Sequence, residues 1–220
     1  LPIRVNVPTW AVLEARVRER FAQRRGFALA TINLDHLVKL RASPEFRVTY
    51  AAQDFVVADG NPIVWMSKLA GRPLARIAAQ QGVQVALFGA TDAVLKAAKE
   101  YLEREVRDLT VACCIAPRMG FDPKGELAEA YLAEIADSGA RLCFVALGAP
   151  KQETFAAFGR TRAPEVGFAS IGAGLDFFAG TQNRAPALVR RFSMEWLWRA
   201  ASNPRRLGPR RACPPEHHGD

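Results

Sequence analysis

The chain has 220 residues, half of them hydrophobic, and a formal net charge of +8, with an isoelectric point near 9.8. This excludes a disordered or fibrous chain and suits one globular domain, or one domain with a tail. The positive balance points to an anionic partner: a nucleotide, a lipid surface or nucleic acid.

The apolar periodicity then divides the chain. Trp10, Leu13, Val17 and Phe21 share one helical face, with Thr9 placed to cap the helix and Gly26 to end it. Residues 27–33 read as a strand ending in Thr31-Ile32-Asn33. A short helix over 37–42 is broken by Ser43-Pro44. Phe55, Val56, Val57 and Ala58 read as a buried strand, and Asp59-Gly60 follows at once. Residues 63–69 read as a helix that Gly71-Arg72-Pro73 closes. A second unit opens with a strand over 83–88, a turn over 89–92 and a helix striped by Val94, Ala98, Tyr101 and Leu102. A strand over 110–115, a loop over 117–125 and a helix striped by Leu127, Ala130, Tyr131 and Ile135 come next. Strands over 142–147 and 166–171 follow, with a helix from Thr154 to Arg160 between them. Strands and helices alternating at this interval predict right-handed βαβ units: an α/β fold with a parallel sheet and helices on both faces.

Nothing in the sequence reads as a membrane span or as a signal peptide, although it begins at Leu1 and a removed segment stays open. Cys113, Cys114, Cys143 and Cys213 show no C-x-x-C spacing, so buried thiols are expected rather than zinc ligands or a redox pair.

Three stretches carry candidate chemistry. The strand over 142–147 stops at Gly148, and Pro150 forbids its continuation. Lys151, Gln152 and Glu153 follow, beyond the carboxyl end of a buried strand and ahead of a helix, where open α/β sheets bind ligands. A plain strand-to-helix turn has the same composition. Gly172 and Gly174, after the last strand, allow close backbone approach to a phosphate or form a packing turn. Their spacing is not G-x-G-x-x-G, which argues against a dinucleotide site. Past a helix-like segment around Trp196 and Trp198, Arg205, Arg206, Arg210 and Arg211 lie among prolines and a glycine. They read as a basic tail for lipid headgroups or phosphate, or as a solvated terminus. The expected organisation is one domain over 1–203 and a tail over 204–220.

Several islands fall into one order: Thr31-Ile32-Asn33, Asp59-Gly60, Leu147-Gly148-Ala149-Pro150-Lys151-Gln152-Glu153, Gly172-Ala173-Gly174, Asp176-Phe177, Ala179-Gly180, Arg184-Ala185-Pro186, Glu195-Trp196-Leu197-Trp198-Arg199 and Asn203-Pro204-Arg205-Arg206. Together they resemble the WecG/TagA/CpsF family of bacterial glycosyltransferases over residues 27–211. The resemblance implies a Rossmann-like core and inverting, metal-independent transfer of a hexose or N-acetylhexosamine-type sugar from a UDP-sugar. The implied acceptor is a polyprenyl-diphosphate-linked saccharide at the cytoplasmic face of the membrane. The products implied are teichoic acid linkage units, common antigen, capsule or exopolysaccharide. No cofactor is implied, and the implied location is peripheral, at the inner face of the cell membrane, by way of the C-terminal segment. Asp59 corresponds to the family's proposed catalytic aspartate and Thr31 to a nearby functional threonine. Asn33, Arg76 and Gln152 match positions in or near its pocket. Gly60, Gly148, Lys151, Glu153, Gly172, Gly174 and Asp176 complete the candidate substrate-binding set.

Two departures stand out. The family's Gly-x-Asp-Leu segment and further helix after the arginine matching Arg76 are missing from the pattern, since 76–82 runs almost directly into Val83. The C-terminal basic motif leads to Ala212-Cys213-Pro214-Pro215 and the chain soon ends, which weakens the expectation of membrane docking and acceptor binding.

Inverting transfer needs a base for the acceptor hydroxyl and charge stabilisation for the departing diphosphate. Asp59 is the best base candidate, because it follows a buried strand outside any surface charge run. No Asp-x-Asp motif is present, so no metal is expected. Lys151, the glycine turn and the tail arginines are left to hold the diphosphate. Two other readings compete: a nucleic-acid-binding or regulatory α/β protein, suggested by charge alone, and a nucleotide-cofactor oxidoreductase. Aromatics confined to apolar runs count against the first, so no nucleic-acid partner is expected. The absent G-x-G-x-x-G counts against the second.

Overall fold

Six strands, β1 (Phe27–Ile32), β2 (Phe55–Ala58), β3 (Val85–Gly89), β4 (Val111–Ile115), β5 (Leu142–Ala146) and β6 (Gly167–Ser170), form one sheet in the order β2-β1-β6-β5-β3-β4. Every pairing is parallel. The structure, a computed structural model, describes residues 4–58, 71–172 and 174–178. All of them belong to one compact unit, Leu1–Gln182.

The helices among the described residues are α1 (Trp10–Ala22), α2 (Leu34–Ala42), α3 (Pro44–Ala51), α4 (Gly71–Gln80), α5 (Asp92–Glu105), α6 (Glu126–Asp137), α7 (Lys151–Arg162) and the short α8 (Gly174–Phe178). Strands β3 and β6 are buried along their whole length, as a parallel sheet covered on both faces requires. Alternate strand residues feed opposite cores. Leu29, Val57, Leu87 and Phe144 pack with Leu13 and Val17 of α1, Leu74 and Ile77 of α4, and Leu95 and Leu102 of α5. Phe88, Cys143, Val145 and Phe168 pack with Leu132 and Ile135 of α6 and Phe155 of α7. Phe88 and Phe155 stack with ring centroids 4.2 Å apart. A smaller cluster of Ala30, Val56, Leu40, Phe46 and Tyr50 lies under α2 and α3. The crossovers β3→β4 and β5→β6 leave in opposite directions across the sheet. With right-handed connections, α5 and α7 therefore fall on opposite faces.

The predicted alternation and parallel sheet agree with the structure; several local readings do not. Helix α1 stops at Ala22, before Gly26, and Arg24 takes the left-handed backbone with φ +51°. Gly26 is needed for another reason: a Cβ there would lie 2.2 Å from the Val166 carbonyl oxygen. Helix α2 begins at Leu34 and not at 37, because Asn33 caps it. Ser43-Pro44 opens α3 as well as ending α2: Ser43 Oγ accepts from the Phe46 amide, and Pro44 occupies the first turn, where no amide is needed. Gly71-Arg72-Pro73 belongs to α4, and the helix expected over 63–69 lies outside the described residues. Residues 76–80 complete α4, and a short turn leads from there to β3, which starts at Val85 and not at Val83. The buried stripe of α6 is Ala128, Leu132 and Ile135, whereas Leu127 is exposed. Cys143 is buried, and burial raises its pKa well above that of a free thiol. Cys114 is exposed on the edge strand β4, against the expectation of buried thiols, and Cys213 lies outside the described residues.

Candidate active site

The strands are parallel, so the loops that follow β1, β5 and β6 all open at one edge of the sheet. Strand β2 joins them in register, with Ala58 opposite Ile32. Asp59 and Gly60 follow Ala58 in sequence and lie outside the described residues, as do Arg205, Arg206, Arg210, Arg211 and the boundary at Asn203. Thr31 is half-buried in β1, and its carbonyl accepts a hydrogen bond from the Tyr50 hydroxyl. That bond holds the end of β1 against α3.

A hydrogen-bonded chain crosses this edge. Asn33 Oδ1 accepts from the His36 amide at 3.0 Å, and His36 Nδ1 lies 2.7 Å from the same oxygen and 3.3 Å from the Asn33 amide. The other ring nitrogen, Nε2, lies 3.2 Å from Glu153 Oε1. Gln152 Nε2 donates to that same Glu153 oxygen at 2.7 Å. Gln152 Oε1 in turn accepts from the Gly172 amide at 3.0 Å. Glu153 is fully buried and Gln152 and His36 nearly so. A buried carboxylate demands such partners. Glu153 Oε2 and the Ser170 hydroxyl, at the end of β6, are buried with no hydrogen-bond partner among the described residues.

The glycine turn is built differently from a phosphate cradle. Gly172 has φ +55°, which favours glycine. Its amide is engaged by Gln152, and the Gly174 amide donates to the Ile171 carbonyl at 3.0 Å. A Cβ at Gly172 would meet nothing nearer than Gln152 Oε1 at 3.9 Å, whereas at Gly174 it would lie 3.1 Å from the Ile171 side chain, as in a packing turn. Gly148 is open: a Cβ there would meet nothing within 4 Å. Lys151 is exposed in the first turn of α7, its Nζ donating to the Phe121 carbonyl at 3.1 Å. Asp176 is half-buried in the first turn of α8. Arg76 is exposed on α4, whose apolar side packs in the core on the opposite face of the sheet from α7. Among the described residues, no hydrogen bond or ion pair joins Arg76 to the Gln152–Glu153 network. The structure thus joins Asn33, Gln152, Glu153 and Gly172 through hydrogen bonds that do not include Arg76.

His36 is the residue the sequence reading missed. It stands three positions after Asn33, the spacing of a capping box, with histidine in place of the usual acid or amide. That spacing was a usable signal. Gln53 was also missed: its Nε2 donates to the Glu153 carbonyl at 3.0 Å and to the Thr49 carbonyl at 3.1 Å, tying α3 to α7. Among the described residues, no group of three or more His, Cys, Asp or Glu side chains is placed to hold a metal ion. A surface depression of about 500 Å³ lined by Glu129, Ala133, Ala136 and Arg162 lies on α6 and α7, away from the network, and contains none of the candidate residues.

Comparison with known proteins addresses the chemistry directly. A model of the family described as glycosyl transferase WecG/TagA/CpsF matches residues 1–215. The chain is also similar to the N-acetylglucosaminyldiphosphoundecaprenol N-acetyl-beta-D-mannosaminyltransferase of Bacillus spizizenii. The two are 29% identical over 198 residues, covering 84% of this chain and 74% of that protein. The match selects the transferase over the nucleic-acid-binding and oxidoreductase readings. The chain belongs to the WecG/TagA/CpsF family and is a glycosyltransferase.

Proposed function

We propose that the chain transfers one N-acetylhexosamine or hexose unit, with inversion, from a UDP-sugar to a polyprenyl-diphosphate-linked saccharide in bacterial cell-surface polymer synthesis. The observation that carries this reading is the family match over nearly the whole chain. The similar protein of Bacillus spizizenii is named for transfer of N-acetylmannosamine to a lipid-linked N-acetylglucosamine, which makes that pair the first to try.

In the proposed reaction the acceptor hydroxyl attacks the anomeric carbon, and the bond from that carbon to the UDP oxygen breaks. The hydroxyl proton passes to Asp59, and UDP leaves with its electron pair. Thr31 stands at the end of β1, on the strand that pairs with β2. The first turn of α7, with exposed Lys151, offers positive potential at the carboxyl edge for the diphosphate, and the tail arginines add to it. We propose that no metal takes part, since an Asp-x-Asp pair is absent from the sequence. Among the described residues, no helix is long and apolar enough to cross a membrane. Reaching a lipid-linked acceptor then calls for peripheral docking at the inner membrane face, and Arg205, Arg206, Arg210 and Arg211 supply the charge for it.

The test is a panel of UDP-sugars offered with a short-chain lipid-diphosphate saccharide, with product read by mass spectrometry. Transfer of a single sugar with release of UDP is expected. Hydrolysis without transfer, or no turnover with any donor and acceptor in the panel, refutes the reading.

A further inference from the structure

We propose that His36 and Glu153 are positioning residues of the transferase site: they hold Asn33 and Gln152, and through Gln152 the Gly172 turn, in one fixed arrangement across three loops. The inference rests on the site lying at the carboxyl edge of the sheet. Residues 36 and 153 belong to loop-helix junctions 117 positions apart, yet His36 Nε2 faces Glu153 Oε1 at 3.2 Å. That single carboxylate oxygen also receives Gln152 Nε2 at 2.7 Å. A side-chain amide whose nitrogen is committed to Glu153 must present its oxygen the other way, and there it meets the Gly172 amide at 3.0 Å. Glu153 therefore sets which way Gln152 faces, and Gln152 sets the glycine turn. At the other end, the ring of His36 is clamped between Asn33 and Glu153, which fixes the entry of α2.

Burial argues that this is more than a packing detail. Glu153 is 0% exposed, and its second oxygen has no hydrogen-bond partner among the described residues. A core built for stability alone is better served by an apolar side chain at such a position. The carboxylate makes sense where an orientation has to be imposed on neighbours that the reaction uses. Neither His36 nor Glu153 reaches solvent to touch substrate, so both act through Asn33, Gln152 and Gly172.

The test is amide hydrogen exchange on the full chain, which needs no substrate. The Ile171 amide, bonded to the Val145 carbonyl at 2.9 Å, is the internal reference one residue from Gly172. In Glu153→Leu and in His36→Ala, Gly172 exchange should quicken about tenfold while Ile171 stays as in the parent chain. Glu153→Gln keeps an oxygen for Gln152 and should restore most of the Gly172 protection, and it serves if the leucine variant does not fold. Turnover should fall about tenfold in His36→Ala and in Glu153→Leu, and less in Glu153→Gln. Equal acceleration of Gly172 and Ile171 would mean that the pair only stabilises the fold, and unchanged Gly172 exchange would mean that the chain of bonds ends at Gln152. Either result overturns the proposal. A parent chain inactive on every UDP-sugar would refute the proposed function while leaving the exchange result to stand or fall alone.

Discussion

The two edges of the sheet are built on different terms. At the amino-terminal edge, Asp54 uses both oxygens: Oδ1 accepts from Arg20 at 3.0 Å, and Oδ2 accepts from Arg160 at 3.0 Å and from the Ala28 amide at 2.9 Å. Arg20 also donates to the Gly26 carbonyl at 2.9 Å, and the Gly26 amide donates to the Pro164 carbonyl at 2.7 Å. Helices α1 and α7 and strands β1 and β2 are tied there by direct, short bonds. At the carboxyl edge, Glu153 Oε2 and Ser170 Oγ are buried with no hydrogen-bond partner among the described residues, as Arg141 Nε is at the amino edge, and Gly172 takes a left-handed backbone. One edge ties helices to strands through its polar groups, while the other uses them to join the loops after β1, β5 and β6 to one another. The two demands are separated along the strand direction, so they can be broken separately.

The largest expected effect is at the carboxyl edge. Asp59→Asn should leave folding and nucleotide binding intact while turnover falls by a factor on the order of 100 or more. Near-parental turnover with the proposed donor and acceptor would end the assignment of Asp59 as base.

A cut after Asn203 asks whether that edge works alone. Each of Arg205, Arg206, Arg210 and Arg211 should contribute about 1 kcal/mol near an anionic surface, less as salt rises. The shortened chain should float less with vesicles of anionic lipid and lose transfer to lipid-linked acceptor. Unchanged flotation with collapsed UDP affinity would place the arginines at the nucleotide instead.

The opposite edge should respond in stability and not in chemistry. Asp54→Ala strands Arg20 and Arg160, whose side chains are only 20% and 27% exposed. Unfolding in urea should show a loss of about 2 kcal/mol, moderated by that partial exposure, with turnover per folded molecule unchanged. A large fall in turnover without loss of stability would erase the division between the edges.

Smaller still is Gly172→Ala. The added Cβ meets nothing closer than Gln152 Oε1 at 3.9 Å, so the cost is the left-handed backbone alone, about 1 kcal/mol by thermal or urea unfolding. The smallest expected effect is that of EDTA. Rates in excess chelator should equal those without it, and loss restored by Mg²⁺ or Mn²⁺ would bring a metal into the mechanism.

The places where sequence reading fails have two causes. Pro44 reads as a breaker, yet it stands in the first turn of a helix, where its missing amide costs nothing. Leu127 and Ala130 looked like a buried stripe, while α6 turns Ala128 and Leu132 to the core instead. The second depends on how a helix is set against its neighbours, which a local window does not contain. The first is a local signal, a capping serine followed by proline, that opens a helix as readily as it breaks one.

What the sequence determined by itself was local in origin. Runs such as Phe55 to Ala58 and Leu142 to Ala146 are apolar over the length of a strand, and turn residues follow each of them. The alternation that makes an α/β fold is therefore written along the chain, and so is the order of motifs that marks the family. Only the tertiary structure decided the strand order β2-β1-β6-β5-β3-β4 and, through it, which polar groups meet. His36 with Glu153, Gln152 with Gly172 and Asp54 with Arg160 are each invisible in their own neighbourhoods. A hydrogen bond needs partners within about 3 Å. Residues 20 to 117 positions apart come that close only after the crossovers have chosen a direction and a face.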